Sequence, residues 1–292
     1  MQKFDRSKLI VQRFQQRTPN SQSERGLGSV NTYQNNAYRP KGNEDKFIIA
    51  HYHHFSLYGV FDGHAGDRVA ILLREHMAPM IFETMVNLRN SLIAKGQTGV
   101  DGREFYPKVL RSCFLEFERQ LVESKHDVHR DAGSTAVIVL QCHDTNTLYV
   151  ANLGDSRAIV VDRDSGNIIM TTRDHKMTNQ DELARIPPQA IQNGRIGGVL
   201  AIPRAFGNLS LKTALPGAIS VEPDIQRLCL DYYPKTRCAL VLASDGVWDV
   251  LHSRVVGQLV ADTPIERAAL IIRERAIQNH TIDNVTAMVV AL

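Results

Sequence analysis

The 292-residue chain has little that would mark it as secreted, membrane-bound or nucleic-acid-binding. It has four cysteines, Cys113, Cys142, Cys229 and Cys238, and no two form a C-x-x-C pair. That excludes a disulfide framework and the usual zinc spacings, and it fits a reducing compartment. No apolar run approaches the ~20 residues that span a bilayer. The N-terminus lacks an apolar signal region, and Gln2 stands where N-myristoylation requires glycine. The formal net charge is only +3, and its signs are interspersed, so no basic face for nucleic acid is expected. Lys3, Arg6, Lys8, Arg13 and Arg17 read as charges on a solvated tail. A cytoplasmic or nuclear protein is expected, with a monomer as the default. Tryptophan occurs once, at Trp248, and is read as core packing.

What is present is a globular composition, 43% hydrophobic and 22% charged. Residues 1–25 read as a polar tail and 26–292 as a single domain. Residues 46–50 and 55–61 predict a hairpin. Helical spacing follows between Asp67 and Leu92, then on a stripe of Phe105, Val109, Cys113, Phe117 and Leu121. Residues 135–141, 148–152 and 157–162 predict a meander. Residues 174–216 are irregular and flap-like, and strands resume at 219–229 and 238–243. Thr263, Pro264 and Glu266 read as a capping box opening a helix near 264–279, before a last strand at 284–290. Two groups of strands, each followed by paired helices, predict an α+β fold: an αββα sandwich of two stacked, mainly antiparallel sheets flanked by pairs of helices.

The aspartates carry the chemistry. Asp62, Asp155 and Asp245 stand at strand exits, Asp249 one helical turn after Asp245, and Asp283 and the pair Glu44-Asp45 just before strands. Singly, each is ordinary turn or cap chemistry. Together, strand ends of a sandwich gather at one edge, and convergent carboxylates need cations among them. An all-oxygen set selects Mg²⁺ or Mn²⁺. Two such ions activate a water for hydrolysis.

Segments 39–45 (RPKGNED), 60–66 (VFDGHAG), 133–136 (GSTA), 152–158 (NLGDSRA), 173–176 (RDHK), 200–208 (LAIPRAFGN), 243–250 (ASDGVWDV) and 283–286 (DNVT) follow one another in order. By these the sequence resembles the protein phosphatase 2C (PPM) family from about Gly26 onward. The resemblance implies a metal-dependent serine/threonine phosphatase acting on phosphorylated proteins. It implies that Asp62 bridges two metals, with the Gly63 carbonyl, Asp45 and Glu44 contributing directly or through waters and Asp245 and Asp283 completing the other side. Asp155 and Asp249, with Asp245, match the positions of a weaker third ion. Arg39 is implied as phosphate ligand and His64 as proton donor to the leaving oxygen. The chain departs from the common pattern in an extra residue between Arg39 and Glu44-Asp45, which makes Lys41 a second phosphate-ligand candidate. Pro203 and Asn208 replace the commoner serine and aspartate, and the flap is short. A catalytically inactive phosphoprotein-binding relative is the rival reading; it would be expected to lose metal aspartates.

Two other signals carry less. Cys113 to Arg119 spells C-x-x-x-x-x-R, but on a helical stripe rather than a phosphate-binding loop. His51, His53 and His54 read as surface residues of a hairpin turn.

Overall fold

A computed structural model describes residues 6–11, 28–34, 37–38, 42–97, 99, 101–124, 130–233 and 237–292. Arg39, Lys41 and most of the expected tail lie outside them.

Along the chain, β1 (Ile10–Val11), β2 (Gly28–Tyr33), β3 (Lys46–Tyr52), β4 (Phe55–Phe61) and β5 (Gly63–His64) precede α1 (Arg68–Ala94) and α2 (Gly102–Glu123). Then come β6 (Gly133–Ser134), β7 (Ala136–Cys142), β8 (Thr147–Leu153), β9 (Arg157–Asp162) and β10 (Ile168–Thr171). The flap holds α3 (Gln180–Arg185), β11 (Ile191–Gln192), β12 (Arg195–Ile196), β13 (Phe206–Gly207) and α4 (Leu209–Ala214). The chain closes with β14 (Asp224–Cys229), β15 (Cys238–Ala243), α5 (Asp245–Trp248), α6 (Ser253–Ala261), α7 (Ile265–Gln278) and β16 (Val285–Ala291).

Two antiparallel sheets form the body, ordered β1-β3-β4-β7-β8-β14 and β10-β9-β15-β16-β2. Period-two alternation divides their side chains between layers. In β7, Ala136, Ile138, Leu140 and Cys142 meet α1 and α2, while Val137 and Val139 fill the space between the sheets. In β15, Leu240 and Leu242 face the other sheet, and Ala239, Val241 and Ala243 join the layer under α6 and α7. Both faces of these strands are buried, which is why they read as unbroken apolar runs. The expected αββα sandwich is the observed fold. Cys113 lies buried on α2, where burial pushes its thiol up to about 11.

Two local expectations change. In the segment read as a tail, Ile10–Val11 pairs with Ala50 and His51 at a sheet edge. The capping box at Thr263 does not form: Pro264 is the N-cap of α7 and makes no side-chain cap bond. A distant serine instead bridges the first turn of α7: the Ser29 hydroxyl donates to the Ile265 carbonyl at 2.7 Å and accepts from the Ala269 amide at 3.0 Å. The flap builds its own small core from Ile186, Ala190, Ile196, Leu200, Ile202 and Ile219.

Candidate metal centre

The carboxylates gather where both sheets end. Asp62 leaves β4, and its backbone is locked on both sides by Thr135, whose Oγ1 accepts the Asp62 amide (3.2 Å) and whose amide donates to the Asp62 carbonyl (2.9 Å). After β5, Ala65 and Gly66 take positive φ, 54° and 120°, and reverse the chain into α1. Glu44 secures that reversal, its Oε1 accepting the Gly66 amide at 2.7 Å. Asp45 is buried; Ser244 donates its hydroxyl to Asp45 Oδ2 (2.8 Å) while accepting the Thr286 amide (3.0 Å). One serine thereby ties the start of β3 to the ends of β15 and β16. Asp245 opens α5, and Asp283 Oδ1 accepts the Asn284 amide at 2.7 Å. Trp248 is buried beside them, donating to the Ala243 carbonyl at 2.8 Å.

The electrostatics are those of crowded anions. Burial raises Asp45 to about 6. Burial, then the charges of Asp245, Asp45, Asp155 and Asp283, holds Asp62 well above the usual carboxylate range. Asp245 is raised likewise, by burial and then by Asp155, Asp283 and Asp249. Asp155 is raised to about 7 by burial, against the Lys176 ammonium. Asp245 Oδ1 is buried without a hydrogen-bond partner. Among the described residues no group of three or more His, Cys, Asp or Glu side chains is drawn up closely enough to hold an ion as it stands. The donor set nevertheless fits a hard cation: oxygens only, mutually repelling, with one buried oxygen left orphaned.

Asp249 is placed differently. It is 56% exposed, and Lys176 Nζ stands 2.8 Å from its Oδ1. An internal ammonium therefore sits with Asp155 and Asp249. The spacing of the aspartates gave no sign of it, though Lys176 closes the RDHK segment.

His64 Nε2 lies 2.9 Å from Asn208 Oδ1, and burial is the main cause lowering its pKa. Asn208 is fixed in a left-handed conformation (φ 52°), with Nδ2 donating to the Asp131 carbonyl at 3.0 Å. Its Oδ1 is thereby aimed at His64, so Nε2 carries the proton. Gly133 makes this possible, since a Cβ there would stand 2.3 Å from His64 Nε2 and 2.2 Å from Asn208 Oδ1.

Asp62, Gly63, His64, Asp155, Asp245 and Asp283 line one cavity of about 660 Å³, whose wall also takes in residues of the flap. Glu44, Asp45 and Asp249 are not on its wall. His51, His53 and His54 stand apart from it; His51 bonds Ser56 at 2.8 Å, and His54 faces Asp144 at 3.3 Å.

A sequence model described as Protein phosphatase 2C matches residues 26–285. The chain belongs to the protein phosphatase 2C family. "Probable protein phosphatase 2C 76" of Arabidopsis thaliana is 36% identical over 240 residues, covering 80% of this chain and 51% of that protein. "Probable protein phosphatase 2C 56" of Oryza sativa subsp. japonica is 36% identical over 245 residues, covering 80% and 61%. The chain thus spans roughly half the length of the curated relatives it matches. The solved serine-threonine phosphatase 2C of Toxoplasma gondii superposes with a TM-score of 0.73 at 21% identity, over 97% of this chain and 98% of that one. A C. elegans sex determining protein gives 0.71 at 24% identity, over 93% of this chain and 66% of that one. These two establish the protein phosphatase 2C fold. Family proteins generally depend on manganese or magnesium.

Proposed function

We propose that the chain is a metal-dependent protein serine/threonine phosphatase, hydrolysing phosphoserine and phosphothreonine monoesters of other proteins. One observation carries this reading: Asp62, Asp155, Asp245 and Asp283, drawn from both sheets, converge on the cavity that also holds His64, and Asp245 Oδ1 is buried without a partner. Asp45, Asp62, Asp245 and Asp283, with the Gly63 carbonyl, are the residues to hold two Mn²⁺ or Mg²⁺ ions. Asp155 and Asp249 are the residues for a weaker third. When bound, such ions neutralise the phosphate charge and activate the attacking water.

The protein's own groups do the rest. Thr135 fixes the Asp62 backbone, and Ser244 fixes the Asp45 carboxylate. Glu44 acts on the loop backbone through Gly66, which places it behind the site. His64 supplies a proton to the departing seryl or threonyl oxygen, a poor leaving group without one. With Nε2–H committed to Asn208, Nδ1 is the nitrogen left to take up and give that proton. Arg39, with Lys41 behind it, is retained as the phosphate ligand on sequence grounds. All four central aspartates are present, so nothing favours a catalytically inactive relative.

The test is turnover of a phosphothreonine peptide after EDTA, with and without added Mn²⁺ or Mg²⁺, beside Asp62→Asn. Turnover that requires metal and falls by about 100-fold or more in the variant supports the reading. A folded, metal-replete protein without turnover overturns it.

A further inference from the structure

The cavity wall has two chemically distinct parts. One is the carboxylates Asp62, Asp155, Asp245 and Asp283; the other is the apolar flap residues Val199, Ala201, Leu211 and Ala214. The flap sorts its side chains by alternation. Ile196, Leu200 and Ile202 belong to its own core, Leu200 and Ile202 also reaching the cavity wall, while Val199 and Ala201 are exposed. Val199 is 63% exposed and belongs to no apolar cluster.

A lone exposed valine is ordinary on a protein surface. This one is held in place. Gly197 and Gly198, at φ 58° and 74°, form the turn that projects it. Its amide donates to the Ile196 carbonyl at 3.1 Å, and Arg195 Nη1 donates to its carbonyl at 2.9 Å. From α4, Leu211 and Ala214 line the same cavity. Arg195 is the only charged side chain that residues 174–216 place on the cavity wall, and it is tied to that backbone carbonyl. An apolar lip therefore shares one cavity with the carboxylate site.

We propose that this lip selects substrates in which an apolar side chain neighbours the phosphorylated residue, with Val199 as the principal contact. The inference rests on the phosphatase reading, because a phosphate at the carboxylate end is what brings the neighbouring residue onto the lip. Its occupant is the substrate polypeptide, whose adjoining side chain leaves water for Val199, Ala201, Leu211 and Ala214. A polar side chain packed against these four would lose water without gaining a partner. The contact forms on binding, so the preference appears in KM more than in kcat.

The experiment uses the full chain loaded with Mn²⁺ and a series of phosphothreonine peptides. Leucine, serine or aspartate is placed in turn at each position flanking the phosphothreonine. para-Nitrophenyl phosphate, which has no neighbouring residue, reports the phosphatase chemistry alone. The expected result is a kcat/KM about tenfold higher for leucine than for serine at one flanking position. Val199→Leu keeps that ratio and Val199→Asp abolishes it. Equal turnover of all the peptides, with para-nitrophenyl phosphate still hydrolysed, overturns the inference and leaves the phosphatase reading standing. A leucine preference that survives Val199→Asp overturns the assignment to this lip. Failure to hydrolyse any substrate overturns the phosphatase reading and the inference with it.

Discussion

Asn208 Oδ1 accepts a hydrogen bond from His64 Nε2 at 2.9 Å, so the candidate proton donor is partnered by a neutral amide. Burial lowers the imidazole pKa, and the hydrogen bond to the neutral Asn208 amide offsets only part of that. Asn208→Asp keeps the shape and places an anion at hydrogen-bond distance, which favours the imidazolium. The alkaline limb of kcat/KM should move to higher pH by about one unit. A limb that stays in place would show that His64 does not supply the proton.

The buried carboxyls make the metal-free protein sensitive to alkali. Asp45 is raised from 3.8 to about 6 and Asp155 to about 7, with Asp62 and Asp245 also raised. A carboxyl with a higher pKa folded than unfolded binds more protons when folded. Its contribution is whole below the unfolded value and is lost as pH rises through the folded one. His64, held low, acts in the opposite sense, but as one group against four. Asp224, lowered to about 2, changes only at more acid pH. With EDTA present, the melting temperature should therefore fall between about pH 5 and pH 8. Added Mn²⁺ should recover more of it at the alkaline end, where protons compete least. A metal-free melting temperature that rises across this range would refute the assignment.

Gly246 separates Asp245 from the rest of α5, and a Cβ there would stand 1.9 Å from the Asn284 carbonyl oxygen. That oxygen is backbone and cannot swing aside. Gly246→Ala must push the Asp283-Asn284 segment away from Asp245. The expected cost is about 2 kcal/mol of stability, together with weaker Mn²⁺ binding. Thermal melting and calorimetric titration read the two effects separately. An alanine variant with unchanged metal affinity would show that the spacing of Asp245 and Asp283 is not set here.

Much of this was legible in the residues, because strand-exit aspartates and unbroken apolar strands are local signals. Asp62 after Phe61 and Asp245 after Ala243 needed only the pattern around them. What stayed hidden depends on long-range partners. Ser244 reaches Asp45 across 199 positions, and Ser29 reaches Ala269 across 240. No window of sequence contains either pair. The capping box at Thr263 did not form because Pro264 takes the N-cap position, and the serine that bridges Ile265 and Ala269 lies far away in sequence. Asn208 stood out in sequence only as a departure; its bond to His64 required the fold.

Lys176 puts a fixed positive charge among the site's aspartates. Its Nζ is 2.8 Å from Asp249 Oδ1 and 3.8 Å from Asp174 Oδ2, and its charge also pulls down the pKa of Asp155. A cation held by Asp155 and Asp249 must therefore compete with a tethered ammonium. Lys176→Met keeps a long flexible side chain and removes the charge. The weakest Mn²⁺ binding event should tighten by about fivefold, the equivalent of ~1 kcal/mol for a partly exposed pair. Asp249→Asn in the same background should erase that gain, which calorimetric titration of the metal-stripped protein would show directly. If Lys176→Met instead weakens the event, the lysine serves to hold Asp249 in position, and the competition argument fails.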